Sequence, residues 1–228
     1  SLTRQAGITP ADIEVFIHGF TIATNAWLTR TGARTVLATT RGFRDVLEIA
    51  TQRRPMAYSL TQRAQEPLVP RSRVVEVDER IDAFGQVVTP LDAAEARRAA
   101  AAVAKLEPEA IVVSFVFSHL NPSHEQLLAA AIADLLPDIP LYIGSKINPQ
   151  VEEYPRTNAT VTTAYVGPAV DRYVGALELA LPAMGMTAPL LLMRSDGGIA
   201  TSQAARENPG TMLLSGPAGG VMAGLETS

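Results

Sequence analysis

The 228-residue sequence contains no cysteine. That absence excludes disulfides, a thiolate nucleophile and cysteine-ligated zinc together. It agrees with a reducing compartment, and a cytoplasmic location is the expectation. Long apolar runs are also lacking: the longest, Ala110 to Phe117, is too short to cross a bilayer. The opening residues Ser1-Leu2-Thr3-Arg4-Gln5 are polar, so no leader peptide is expected. Basic clusters are scarce, the densest being the pair Arg53-Arg54. Phosphate backbones and anionic membranes are bound by several clustered Lys and Arg, so neither a nucleic acid nor a membrane is an expected partner. G-x-G-x-x-G, the Walker loop and G-x-S-x-G are all absent, as is any fixed-period repeat.

What remains is a globular composition. Hydrophobic residues make up 47% and charged residues 18%, and 19 basic residues against 23 acidic ones give a net charge of −4. A chain of this size buries a sizeable core without a metal or a disulfide.

The pattern along the chain is α/β. Ile13 to Ile17 reads as a strand, Thr21 to Arg30 as a helix closed by Gly32, Arg34 to Thr39 as a second strand, and Phe43 to Ile49 as a short helix. Residues 51–72 carry Pro55, Pro67 and Pro70 and read as an irregular excursion that could dock a partner. Val74 to Glu79 is a strand, and Val87-Val88 returns across a turn at Ala83 to Gln86. Thr89-Pro90-Leu91-Asp92 looks like a helix start, with Thr89 as the cap and Asp92 completing a capping box. Ile111 to Phe117 has no period-2 alternation, which suits a central strand covered on both faces. A helix from Asn121-Pro122 and a strand at Leu141 to Ile143 complete a parallel βαβ-type unit. A long helix over 156–184 should break or kink at Gly167-Pro168. Strands at Leu190 to Met193 and Leu213-Leu214 would each end in a glycine-rich turn. The expected domains are 1–90, 91–150 and 151–228.

Several motifs have chemical potential. His18, Thr21, Thr24 and Asn25 lie where a strand feeds a helix, a place that offers N–H groups to an anion. Ordinary capping explains the same residues, and pattern alone favours it. Arg41, in the turn Thr39 to Asp45, could pair with a phosphate or carboxylate, or simply sit on the surface. Ser195-Asp196-Gly197-Gly198 and Ser215 to Gly220 are either tight turns or ligand loops. Glu152-Glu153 reads as a solvated acid pair at a helix entry. His119 and His124 do not have the i, i+4 spacing of a helical metal pair, so no protein-held metal is expected.

Taken in order, HGFTIATNAWLTRTGARTVLATTRGFRDVLEI, EPLVPRSRVVEVDERIDAFGQVVTPLD, NPSHE, EEYPRTNATVTTAYVGP, LLLMRSDGGIA and SGPAGGV resemble the hydantoinase A / 5-oxoprolinase family. The resemblance runs from His18 to Gly224. It implies mixed sheets with flanking helices, a partial actin-like ATPase (ribonuclease H-like) architecture. It also implies use of ATP and Mg to activate a cyclic amide such as a hydantoin or 5-oxoproline, with phosphorylation of the carbonyl. Ring opening would then need a hydantoinase B-type subunit or domain. The positions carried over by the resemblance are His18, Thr21, Asn25, Arg41, Asp45, Tyr154, Arg156, Ser195, Gly197, Gly198, Ser215, Gly216 and Gly219, and no general base is assigned among them.

Two positions depart from the family pattern. Phe20 stands where H-G-T-T has threonine, and Pro155 stands where E-Y-E-R has glutamate. The family's phosphate loops fall outside the sequence, so the resemblance implies a segment inactive alone and binding no cofactor by itself. Its other reading is a non-catalytic assembly module for the B-type partner. A third, a small-molecule kinase, rests on fold analogy alone. Uncovered sheet edges would favour a homo-oligomer.

Overall fold

The computed structural model describes residues 7, 9–52 and 66–218. In chain order the strands are β1 (Phe16–His18), β2 (Thr35–Thr40), β3 (Val74–Val77), β4 (Arg80–Ile81), β5 (Val87–Thr89), β6 (Ala110–Ser114), β7 (Leu141–Ile143), β8 (Leu190–Met193) and β9 (Ile199–Thr201). The helices are α1 (Ile22–Leu28), α2 (Val46–Ile49), α3 (Ala93–Ala104), α4 (Ser123–Leu135), α5 (Gly144–Ile147), α6 (Glu153–Ala183) and α7 (Ser202–Glu207). They fall into two compact units, residues 33–165 and residues 1–32 with 166–228.

The 33–165 unit is built on a parallel sheet in the order β3-β2-β6-β7. Every residue of β2 and β6 is buried: the apolar Val36 to Ala38 and Ala110 to Val113 fill both faces, and the hydroxyls of Thr35, Thr39, Thr40 and Ser114 are hydrogen-bonded. Alternate side chains divide between two cores. Val36, Ala38, Ile111 and Val113 meet Ala96, Ala99 and Val103 of α3 and Leu128 and Ile132 of α4. Leu37, Ala110 and Val112 meet Leu47, Val69 and, from α6, Val161 and Ala164. Truncating any of the large members to alanine costs about 2–5 kcal/mol.

Several local expectations change. Asp92 is itself the cap of α3: its carboxylate accepts from the Ala94 and Glu95 N–H groups. β6 stops at Ser114, because the chain turns there and Phe117 takes a left-handed φ of 56°. The long helix begins at Glu153 and passes unbroken through Pro168. Val161, Ala164, Val166, Val170 and Val174 are all fully buried, and that packing outweighs the one hydrogen bond the proline lacks. The turn at Ala83 to Gln86 forms as expected, around a left-handed Gly85, but the returning β5 pairs with β4 (Arg80–Ile81) and not with Val74 to Val77, which joins the parallel sheet. Of the 51–72 excursion, residues 53–65 lie outside the described residues.

In the other unit, β8 pairs in parallel with β1 and antiparallel with β9. Leu213-Leu214 is not a strand. It continues the tight turn Pro209–Met212, and residues 215–218 are helical. Pro209-Gly210 starts the turn, and side-chain hydroxyls described below occupy the carbonyls a strand would have used.

Candidate functional site

In the 1–32/166–228 unit, two turns close on each other. One follows β1 as His18-Gly19-Phe20-Thr21 and runs into α1. The other is Leu213 to Gly216. Ser215 is fully buried; its hydroxyl donates to the Phe20 carbonyl at 2.8 Å and accepts the Phe20 N–H at 3.4 Å. The backbones approach so closely that side chains are barred. A Cβ on Gly19 would lie 2.9 Å from the Ser215 carbonyl oxygen, and one on Gly216 would lie 2.6 Å from Thr21 Cγ2.

Aromatic rings line the inner side of the first turn. His18 Nε2 lies 2.6 Å from the Tyr173 hydroxyl, and burial holds the His18 pKa below its ordinary value. Phe20 is 5% exposed, with its ring 5.1 Å from that of Tyr173. Its side chain is therefore core, and it does not leave a gap where a hydroxyl was expected. On the outer side, Thr21 and Asn25 are exposed neighbours, with Asn25 Nδ2 donating to Thr21 Oγ1 at 3.5 Å.

Ser195 also serves the second turn. Its hydroxyl donates to the Thr211 carbonyl at 2.7 Å and accepts the Leu214 N–H at 2.9 Å. Thr24, on the first turns of α1, donates its hydroxyl to the Leu213 carbonyl. Gly197 and Gly198 make the β8–β9 hairpin, a tight turn. Gly197 has φ 82°, Gly198 N–H donates to Asp196 Oδ1 at 3.0 Å, and Asp196 pairs with Arg194 at 2.8 Å. Gly219 lies outside the described residues.

The remaining candidates belong to the 33–165 unit. Arg41 meets Asp78 at 3.5 Å, and Asp45 meets Arg71 at 2.6 Å; both pairs are exposed and contribute little to stability. Tyr154 packs at the margin of the core. Arg156 is fully buried. Its Nη1 donates to the Gln150 carbonyl at 2.6 Å and the Val151 carbonyl at 3.3 Å; its Nη2 donates to the Phe115 carbonyl at 3.0 Å and Glu153 Oε1 at 3.2 Å. Glu153 Oε1 also accepts the N–H of the left-handed Phe117 at 3.3 Å. Arg156 Nη1 lies 3.3 Å from His119, whose pKa is lowered by burial and then by the Arg156 charge. Arg156 thus ties the carboxyl end of β6 to the first turn of α6.

The strand order reverses between β2 and β6, the point where ligands of open α/β sheets collect. At the carboxyl ends of these two strands, Thr39, Phe43, Ser114, Phe115, Glu153 and Thr157 border a shallow depression. Two motifs distant in sequence, TTRGFRD and EEYPRT, therefore share one location.

Sequence reasoning missed two buried acids here. Glu79 accepts from Thr40 and, at 2.7 Å, lies against His124 Nδ1, while His124 Nε2 accepts the Leu91 N–H at 3.3 Å. Accepting at Nε2 places the ring proton on Nδ1, where it donates to Glu79. Burial raises the Glu79 pKa. Glu125 is fully buried and accepts the Phe115 N–H at 2.9 Å and the Ser145 N–H at 3.0 Å. No sequence cue marks either acid: the partners of Glu79 are the side chains of Thr40 and His124, and those of Glu125 are the Phe115 and Ser145 N–H groups, all on other elements. Among the described residues no cluster of three His, Asp or Glu could hold a metal ion, and no helix is long and apolar enough to cross a membrane.

Its parallel and antiparallel sheets with flanking helices make the chain a mixed-sheet α/β protein of the actin-like ATPase type of architecture, as its structural match indicates. The hydantoinase/oxoprolinase N-terminal region matches residues 1–136, and the hydantoinase/oxoprolinase region matches residues 156–228. The chain belongs to the hydantoinase/oxoprolinase family. It is 35% identical over 225 residues to caprolactamase subunit alpha of Pseudomonas jessenii, covering 96% of this chain and 32% of that one. It is 28% identical over 231 residues to 5-oxoprolinase of Saccharomyces cerevisiae, covering 90% of this chain and 18% of that one. The crystal structure of the ATP-dependent caprolactamase from Pseudomonas jessenii matches with a TM-score of 0.88 at 33% identity, covering 98% of this chain and 33% of that one. The chain thus spans about a third of the caprolactamase subunit's length.

Proposed function

We propose that the chain is part of the ATP-dependent subunit of a cytoplasmic cyclic-amide hydrolase. The observation that carries this is the match to the ATP-dependent caprolactamase along 98% of the chain. The same likeness extends to an oxoprolinase, whose name points to another cyclic amide.

The residues present suit a nucleotide. Exposed Thr21 and Asn25 offer polar side chains next to the turn whose Gly216 packs directly on Thr21. These residues would hold the phosphate end. ATP, when bound, supplies the phosphoryl group that activates the amide carbonyl toward water. A magnesium ion needs no dedicated cage, because it is usually held by nucleotide phosphates and water with one or two carboxylates. The chain's own part is positioning: His18 and Tyr173 hold the first turn against α6, and Ser215 locks the second turn to it.

Ring opening falls to a hydantoinase B-type partner, in keeping with the subunit status of the caprolactamase relative. Turnover requires more than residues 1–228, since that relative is about three times as long. Phe20 and Pro155 do not favour a non-catalytic module. Phe20 fills the core, and Pro155 sits in the first turn of α6, where proline is tolerated.

The test is ATP consumption by the full-length protein with its partner, offered caprolactam, hydantoin and 5-oxoproline in turn. Amide-dependent release of ADP with ring-opened product is expected. ATP use unaffected by every cyclic amide would defeat the reading.

A further inference from the structure

We infer that Thr24 and Ser195 are positioning residues that set the Thr211–Gly216 turn for nucleotide, without touching the nucleotide themselves. The inference rests on the proposed ATP dependence and deepens it. It starts from how that turn is held. An irregular turn presents carbonyls that, if buried, must find donors. Here the Thr211 carbonyl receives the Ser195 hydroxyl at 2.7 Å together with the Ser195 N–H at 2.8 Å. The Leu213 carbonyl receives the Thr24 hydroxyl, and the Leu214 N–H returns to Ser195 Oγ at 2.9 Å. Ser215 then fixes the next residue to Phe20.

Thr24 and Ser195 arrive from different elements, one from α1 and the other from the end of β8. Both hydroxyl protons are donated to backbone carbonyls, and Ser195 Oγ also accepts the Leu214 N–H, so neither hydroxyl can donate to a ligand without releasing the turn. What they control is the location of Gly216, whose Cα side lies against Thr21 with no spare room. Releasing either hydroxyl frees the turn to shift. Because Gly216 packs directly on Thr21, a small shift of the turn alters that contact.

This differs from general structural support. Ser202 offers a control: it opens α7 in the same unit, its side chain helps hold the Glu178 pKa below the ordinary value, and it takes no part in the turn.

The experiment uses the full-length protein with its partner and measures KM for Mg-ATP, kcat and melting temperature. Thr24→Val and Ser195→Ala should each raise KM for ATP about five- to tenfold, the effect of one lost hydrogen bond, with a smaller change in kcat. Thr24→Ser and Ser195→Thr should restore it. Ser202→Ala should lower the melting temperature and leave KM unchanged. If the wild type is active and KM is unmoved in both variants, or moves equally in Ser202→Ala, the inference is overturned. If the wild type shows no amide-dependent ATP use, the proposed function fails and takes this inference with it.

Discussion

Replacing Arg156 by methionine tests whether this residue is architecture or ligand contact. Methionine keeps most of the volume and removes the guanidinium. The carbonyls of Gln150, Val151 and Phe115 lose a donor, and Glu153 loses its cation. Breaking a buried charged pair by removing one partner costs about 3–5 kcal/mol. The stranded carbonyls fall within that figure and are not added to it. For a protein of this size each kcal/mol lowers the melting temperature by about 2–4 °C, so the expected fall is roughly 6–20 °C. Arg156→Lys should recover only part of it, because an ammonium cannot reproduce the two-sided fork. Thermal unfolding followed by circular dichroism reads this directly. A variant that melts within about 2 °C of the wild type, yet has lost activity, would refute the structural assignment and return Arg156 to the ligand.

Three further outcomes are expected. Phe20→Thr restores the family's residue, yet it should destabilise by about 3 kcal/mol or more, because it empties a buried aromatic site beside Tyr173; a urea midpoint at or above wild type would contradict this. Gly19→Ala forces a Cβ to within 2.9 Å of the Ser215 carbonyl oxygen, a backbone atom, and should cost about 1–3 kcal/mol by the same measurement. Lowering the pH from about 7.5 to 5.5 should reduce stability through His18: burial holds its folded pKa below the ordinary 6.5, so the unfolded chain takes up the proton first. That contribution is complete above about pH 6.5 and is lost as the pH falls toward the folded value, so His18→Gln should flatten the profile, leaving the same-signed share of His119.

Much of the fold was legible because strands and helices write different periods. The unalternating Ile111 to Phe117 declared a strand covered on both faces; the strand that forms, Ala110–Ser114, lies between α3/α4 and α6. The element ends were less legible. Asp92 and Thr89 are both good caps, and only the structure shows that Asp92 is used. Gly167-Pro168 carries a helix-breaking message locally, and burial of the surrounding valines overrules it. The site was partly legible. The motifs HGFT and SGP do meet, through Ser215 and Phe20. Thr24 drew notice only as a local donor at the helix start, since its partner is 189 residues away. Glu79, Glu125 and Arg156 look like surface charges in a linear reading. Nothing in spacing reveals the partners that offset the cost of burying them: side chains for Glu79, backbone N–H groups for Glu125, and carbonyls with Glu153 for Arg156.

The inner face of α3 is made of Ala96, Ala99, Ala100 and Val103. Alanine has no rotamers to freeze, so seating this helix against the sheet costs almost no side-chain entropy. It also leaves nothing that can rearrange. A leucine can turn to make room for a new neighbour, but a methyl group cannot. This seam should therefore respond to sequence change as a hard surface, accepting serine or glycine at a modest cost and rejecting every larger residue, whatever its polarity.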